Sequence, residues 1–258
     1  MKNKLSQLYL NLIFVFLYAP IIILMIFSFN ESKYRVWTGF SLKWYVELFH
    51  DRQIMEALYN TLFVAVIAAV LSTIIGTIAA IGIDRMKKWQ KTAVMDVTML
   101  PVLNPDIVTG ISLMLLFYIA KLPTGRFTLI LAHMAFCIPY VILSVMPKLR
   151  QTNKNTYEAA LDLGATPALA TWKITLPEIM PGVITGLLMA FTLSIDDFIV
   201  SYFTTGPGVE NLSILIYNAA KKGVSPSINA LSALMFAVIL ILLVIINIRS
   251  KKDAEKTI

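Results

Sequence analysis

Charge is scarce in this chain: 14% of its 258 residues are charged and 58% are hydrophobic, which excludes an ordinary soluble domain of this size. Cysteine occurs once, as Cys137, so neither an intrachain disulfide nor a cysteine-based metal site can form. Histidine occurs twice, as His50 and His133. A metal would want more donors, and a packed or surface histidine is the simpler reading of each. No Gly-Lys dipeptide is present, hence no phosphate-cradling loop, and no nucleophile–base arrangement stands out, so catalysis by this chain is not expected. No period of roughly 20 to 50 residues repeats, which removes solenoids and propellers. A basic stripe with interleaved aromatics is also missing, and with it the case for nucleic acid.

What the chain does have is long apolar runs. A bilayer core of about 30 Å needs about 20 helical residues. Leu8 to Phe29, Ala57 to Ile83, Thr92 to Ala120, Phe127 to Pro147, Glu178 to Tyr202 and Ile228 to Ile248 each meet that length, so an all-α membrane protein with six transmembrane helices is predicted. The first run is too long for a signal-peptide core, and no small-residue cleavage pattern follows it at Ser28-Phe29-Asn30, so it is expected to remain. Lys2, Lys4, Arg85, Lys87, Lys88, Lys91, Lys148, Arg150, Lys154, Lys173, Arg249, Lys251, Lys252 and Lys256 share one side of this arrangement. Lys33, Arg35, Lys43, Arg52, Lys121, Arg126, Lys221 and Lys222 fall on the other, in loops that also carry Glu31, Glu47, Asp51 and Glu56. The positive-inside bias therefore predicts both termini in the cytoplasm, and it accounts for the net charge of +7. The first outer loop, with Trp37, Phe40, Trp44, Tyr45 and Phe49, is expected to lie along the membrane interface, or else to help seat an external protein.

An aspartate inside a span costs about 2.5 to 3.5 kcal/mol, so it is a functional candidate by default. Asp106 follows Leu100-Pro101-Val102-Leu103-Asn104-Pro105, where two prolines remove backbone donors and interrupt the third segment. Asp196 and Asp197 lie in Phe191-Thr192-Leu193-Ser194-Ile195-Asp196-Asp197-Phe198. At about 1.5 Å per residue, Asp106 sits roughly 21 Å and Asp196 roughly 27 Å along straight helices, in the outer half. Consecutive residues point about 100° apart, so one of Asp196 and Asp197 is expected to face a path and the other a seam or the pore edge. The bland alternatives are a surface position for Asp196 and a helix-capping role for Asp106. No lysine or arginine interrupts these segments, so a cation would satisfy the carboxylates, and an organic polyamine could satisfy more than one at once. Positive charge from a partner subunit is the alternative. Phe198, Tyr202 and Phe203 could add cation–π contacts or act simply as interfacial anchors.

Between the fourth and fifth segments lies a polar insert, Tyr157-Glu158-Ala159-Ala160-Leu161-Asp162-Leu163-Gly164. Asn155 is expected to cap a short helix with Glu158 completing a capping box, Gly164 to stop it in a left-handed conformation, and Thr166-Pro167 to start another. Ala160 and Gly164 fall on one face and admit a close neighbour. A docking element and a plain structured loop both fit these local signals.

Glu158-Ala159-Ala160, then Gly164, Ile174 and Leu176-Pro177, match every specified position of E-A-A-x3-G-x9-I-x-L-P. This string resembles the cytoplasmic signature of permease subunits of binding-protein-dependent ABC importers. The resemblance implies a MetI-like type I importer fold in a bacterial cytoplasmic (inner) membrane, with Tyr157, Glu158, Ala159, Ala160, Asp162 and Gly164 forming a coupling helix seated in an ATPase subunit. It also implies that ATP and magnesium bind that partner, with no cofactor on this chain. Pro105-Asp106-Ile107-Val108, residues Phe191 to Asp197, Thr205-Gly206-Pro207, Gly223-Val224-Ser225-Pro226 and Asn229-Ala230-Leu231 narrow the likeness to spermidine/putrescine permeases of the PotC type. A PotB-like second permease, a PotA-like ATPase dimer and a PotD-like external binding protein are the partners so implied, besides membrane lipid. Charge and depth point to Asp106, Asp196 and Asp197 as the substrate pathway, and Tyr202 joins them for its cation–π face. Another cationic or metal cargo, or a self-sufficient cation carrier, is the alternative, although a carrier would not need the docking insert.

Overall fold

Backbone polar groups have no water to bond in lipid, so a chain this apolar must satisfy them within helices. The computed structural model describes residues 2–33, 36–222 and 226–255, and it is helical almost throughout, with one isolated bridge between Asn30 and Phe40. Arg35, the stretch Gly223-Val224-Ser225 and Lys256 lie outside the described residues, as do the side chains of Lys2, Lys4, Lys154, Lys222, Arg249, Lys251 and Lys252. The helices are α1 (Lys2–Phe27), α2 (Lys43–His50), α3 (Arg52–Asp84), α4 (Lys88–Leu103), α5 (Asp106–Ile119), α6 (Arg126–Gln151), α7 (Lys154–Asp162), α8 (Pro167–Ala170), α9 (Leu176–Asp196), α10 (Ile199–Thr204), α11 (Leu212–Lys222) and α12 (Pro226–Glu255). Among the described residues four helical stretches are long and apolar enough to cross a membrane: Ser6–Phe27, Arg52–Asp84, Arg126–Gln151 and Pro167–Asp196. The pair α4 and α5 makes a fifth if it is one span, and Pro226–Ile241 is a shorter apolar helix.

The third apolar segment is not the straight rod from which the depth of Asp106 was counted. It bends by 104° between α4 and α5. Pro105 has no amide hydrogen to give α4, and it drives the preceding residue out of the helical region, so Asn104 is extended at φ −76°, ψ 144°. The fifth segment is broken too, because α9 stops at Asp196 and α10 begins at Ile199. At its other end it extends further than expected, through a π-helical turn at Thr171–Thr175 that links α8 to α9.

The chain forms two compact units, Met1–Glu56 with Leu215–Leu243, and Ala57–Ile214 with Val244–Ile258. In the first, Asn30 organises the loop between α1 and α2: its amide donates to the Val36 carbonyl at 2.9 Å and accepts from Thr38 N at 3.0 Å. The Asn30 carbonyl accepts from Trp44 Nε1 at 2.6 Å. Trp44 is thereby buried with Leu48, so it is a core residue of this unit and not part of the aromatic rim, while Trp37, Phe40 and Phe49 remain exposed.

In the second unit α6 is the central packing partner. Val141, Val145, Ile179 and Ala190 are fully buried in the core that α6 shares with α3 and α9. Small residues set the spacing, as is usual where apolar helices must approach without a hydrophobic gradient. A methyl group at Gly182 would stand 3.0 Å from the Ser144 carbonyl oxygen, and one at Gly76 would stand 2.8 Å from the Val141 side chain. Beside this core, Phe117, Ala132 and Val200 join α5, α6 and α10.

Candidate functional site

The two helix breaks meet at one cavity. About 450 Å³ in volume and half open, it is lined by Pro101, Asp106, Phe136, Tyr140, Thr192, Leu193, Asp196, Asp197, Phe198, Ile199 and Val200. Asp106 opens α5 immediately after the Pro105 bend, and Asp196 closes α9. Three carboxylates separated by as many as 91 positions in the chain thus face one space, without a lysine or arginine among the lining residues.

Asp197 is no longer a helix residue related to Asp196 by a 100° turn. It is extended at φ −64°, ψ 125°. Its carboxylate accepts from Val200 N at 3.2 Å and from Ser201 N at 2.7 Å, satisfying donors that the first turn of α10 cannot pair internally. Asp106 and Asp196 are exposed, whereas the Asp197 side chain is only 10% exposed. Tyr202 is outside the lining and half exposed; its ring lies 5.6 Å from that of Phe198 and 5.5 Å from that of Phe203.

Phe136 and Tyr140 were not singled out from the sequence, although their spacing of four residues puts them on one helical face with His133. His133 is 1% exposed, in keeping with a packed histidine, and its Nε2 lies 3.6 Å from Asp197 Oδ2. No lysine or arginine is among the lining residues, and the nitrogen group beside Asp197 is an imidazole.

A second polar cluster surrounds the insert. The cap of α7 is Asn153, whose side chain accepts from Asn155 N at 3.0 Å, so the helix starts two residues earlier than Asn155 implied and Glu158 falls beyond the capping-box position. Gly164 ends it at φ +88°, with Gly164 N donating to the Leu161 carbonyl at 2.9 Å and Ala165 N to that of Ala160 at 3.0 Å. That pair of bonds is a Schellman stop, which needs a left-handed residue at the glycine. Thr166 caps α8 through Leu169 N at 3.3 Å, with Pro167 first in the helix as expected. A half-open cavity of about 480 Å³ lies behind α7, lined by Tyr157 and Glu158 together with Asp84, Arg85 and Glu178 among others. Ala159, Asp162 and Gly164 face outward, with Leu163 at 90% and Trp172 at 71% exposure beside them.

Long apolar helices, interrupted where carboxylates line a cavity and joined by an ordered polar segment, define a membrane transport subunit. Residues 72–250 match the family described as binding-protein-dependent transport system inner membrane component, and the chain belongs to that family. It is 41% identical over 234 residues to the putrescine transport system permease protein PotI of Escherichia coli K12, covering 88% of this chain and 83% of that one. It is 37% identical over 250 residues to the spermidine/putrescine transport system permease protein PotC of Haemophilus influenzae, covering 96% and 97%. A crystal structure of a bacterial ABC transporter that imports the acidic polysaccharide alginate superposes with a TM-score of 0.72 at 19% identity, covering 97% of this chain and 94% of that one. The MetNI methionine ABC transporter, inward facing, gives 0.54 at 15% identity over 80% and 96% of the two chains. The fold is thus that of a MetI-like ABC importer permease, a subunit class that is not itself catalytic.

Proposed function

We propose that this chain is one of two permease subunits of an ATP-driven polyamine importer, taking putrescine or spermidine through a path that it half encloses. The observation that carries the reading is the convergence of Asp106, Asp196 and Asp197 on one cavity walled by Phe136, Tyr140 and Phe198. Carboxylates attract ammonium groups, aromatic faces add cation–π attraction, and the methylene chain between amines packs on the same rings. Shared fold does not set the cargo, since the alginate importer with a similar fold handles an acidic chain; the groups in the cavity do. The polyamine relatives at 37% and 41% identity support the same cargo class. Tyr202 extends the aromatic wall past Phe198.

In this reading α1, α3, the α4–α5 pair, α6, the α9–α10 pair and α12 are six spans with both termini in the cytoplasm, as the basic residues favour. Tyr157, Glu158, Ala159, Ala160, Asp162 and Gly164 dock a PotA-like ATPase dimer that binds ATP and magnesium. A PotB-like permease supplies the other half of the path, and a PotD-like external protein delivers the cargo. Closure of the ATPase dimer moves α7, and α6 and α9 carry that movement to the cavity by alternating access. The test is uptake of radiolabelled putrescine and spermidine by a deletion strain carrying Asp196→Asn or Asp106→Asn. Uptake is expected to fall at least tenfold while the complex still assembles, and wild-type uptake in both variants would overturn the assignment.

A further inference from the structure

His133 does not line the cavity, yet it touches what shapes it. Its Nδ1 lies 2.6 Å from Ser194 Oγ, in the last turn of α9, and its Nε2 lies 2.9 Å from Ser201 Oγ, in the first turn of α10. The imidazole therefore bridges the break between α9 and α10 from α6, and the break is where Asp196 and Asp197 stand. Ser194 is 2% exposed and Ser201 is fully buried, so neither hydroxyl has water to replace the ring.

The Ser201 backbone N–H donates to the Asp197 carboxylate at 2.7 Å. A neutral imidazole has one N–H donor and one acceptor nitrogen, and a serine hydroxyl can both donate and accept, so either tautomer satisfies both contacts. The side chains of Ser194, His133 and Ser201 are thus linked, and the backbone of that same Ser201 holds the carboxylate of Asp197 at the cavity. Next on the same face of α6 comes Phe136, a cavity wall, with its ring 5.2 Å from the imidazole. A broken span has no continuous ladder of backbone bonds to fix the angle between its halves, so side chains must supply that constraint.

We infer that His133 is a positioning residue for the transport cavity: by holding Ser194 and Ser201 together across the α9–α10 break, it fixes where Asp196 and Asp197 present their carboxylates to the cargo. The role rests on the polyamine-permease reading for its consequence, but the staple itself is independent of what is carried. Leucine at this position fills similar space without polar contacts; glutamine retains a donor and an acceptor.

The complete transporter, reconstituted in proteoliposomes with its external binding protein, tests this through putrescine uptake and amide exchange together. His133→Leu is expected to lower the maximal uptake rate roughly tenfold, the effect of a lost buried hydrogen bond, with little change in the half-saturating concentration that the external protein sets. Amide exchange at Val200 and Ser201 should accelerate in the same variant, and His133→Gln should recover most of both. Full-rate uptake by His133→Leu, equal loss in the leucine and glutamine variants, or unaltered exchange would each overturn the assignment. If the wild-type transporter moves no polyamine, the cargo reading fails, and the exchange measurement alone decides the staple.

Discussion

The Arg85 guanidinium lies over the ring of Tyr157, 4.7 Å from its centroid, and its Nη2 donates to Thr171 Oγ1 at 2.7 Å. Its neighbour Asp84 is taken by Lys91 at 2.6 Å, so the guanidinium is left to join the end of α3 to both α7 and the π-helical turn. An exposed cation–π contact contributes about 0.5 to 1 kcal/mol, too little to hold the fold but enough to bias a moving part. Arg85→Ala is expected to cut uptake several-fold while ATP hydrolysis by the assembled complex persists. Tyr157→Phe keeps the ring and should transport normally, whereas Tyr157→Ala should match Arg85→Ala without adding to it. Uptake and hydrolysis measured on the same proteoliposomes check both points.

Gly164 is predicted to matter through its backbone. Nothing lies within 4 Å of where a methyl group would project, so a side chain has room, but φ of +88° does not suit it. Left-handed backbone costs an L-residue about 1 to 2 kcal/mol, more with β-branching. Gly164→Val should unwind the end of α7 and lower cargo moved per ATP hydrolysed. Gly164→Asn, which tolerates this conformation, should retain most of it; coupling ratios of the two variants supply the check.

At Gly206 the opposite holds, because space is the constraint. A methyl there would stand 2.1 Å from the Thr124 carbonyl oxygen and 2.8 Å from Gly125 N. Thr128 Oγ1 bonds the Thr204 carbonyl at 3.1 Å alongside, tying the start of α6 to the end of α10. Gly206→Ala must push two backbones apart, at a cost of about 1 to 3 kcal/mol. Its thermal unfolding in detergent should begin at a lower temperature than that of the wild type.

Asn153 offers a milder test of the docking role proposed for α7. Removing a side-chain cap costs about 1 kcal/mol, so Asn153→Ala should fray α7 and weaken ATPase co-purification several-fold, while Asn153→Asp leaves it intact. Equal co-purification in both variants would count against α7 as the docking element.

The ends of these local elements were legible where one residue dictates one backbone state. Gly164, Thr166-Pro167 and the Pro105 interruption appear in the structure as the sequence implied. The cap of α7 lies two residues before Asn155, because Asn153 and Asn155 are equally good caps and only the folded chain shows which side chain accepts. The carboxylates of the cavity are legible as acids in apolar surroundings, but the apolar run around Asp197 predicts a helix where the backbone is extended. No proline marks the break after Asp196; it exists because Asp197 itself caps α10 and His133 bridges the two halves.

Composition and charge pattern, by themselves, determined that this is an all-helical membrane chain, and the insert with its signature determined the family. Those properties depend on solvation and on residues close together in sequence. The bend of 104°, the meeting of Asp106 with Asp196 and Asp197, and the pairing of His133 with serines 61 and 68 residues away were decided only by tertiary structure. They depend on how the helices pack around α6, and helical periodicity shows which face of a helix is apolar without saying which other face it meets.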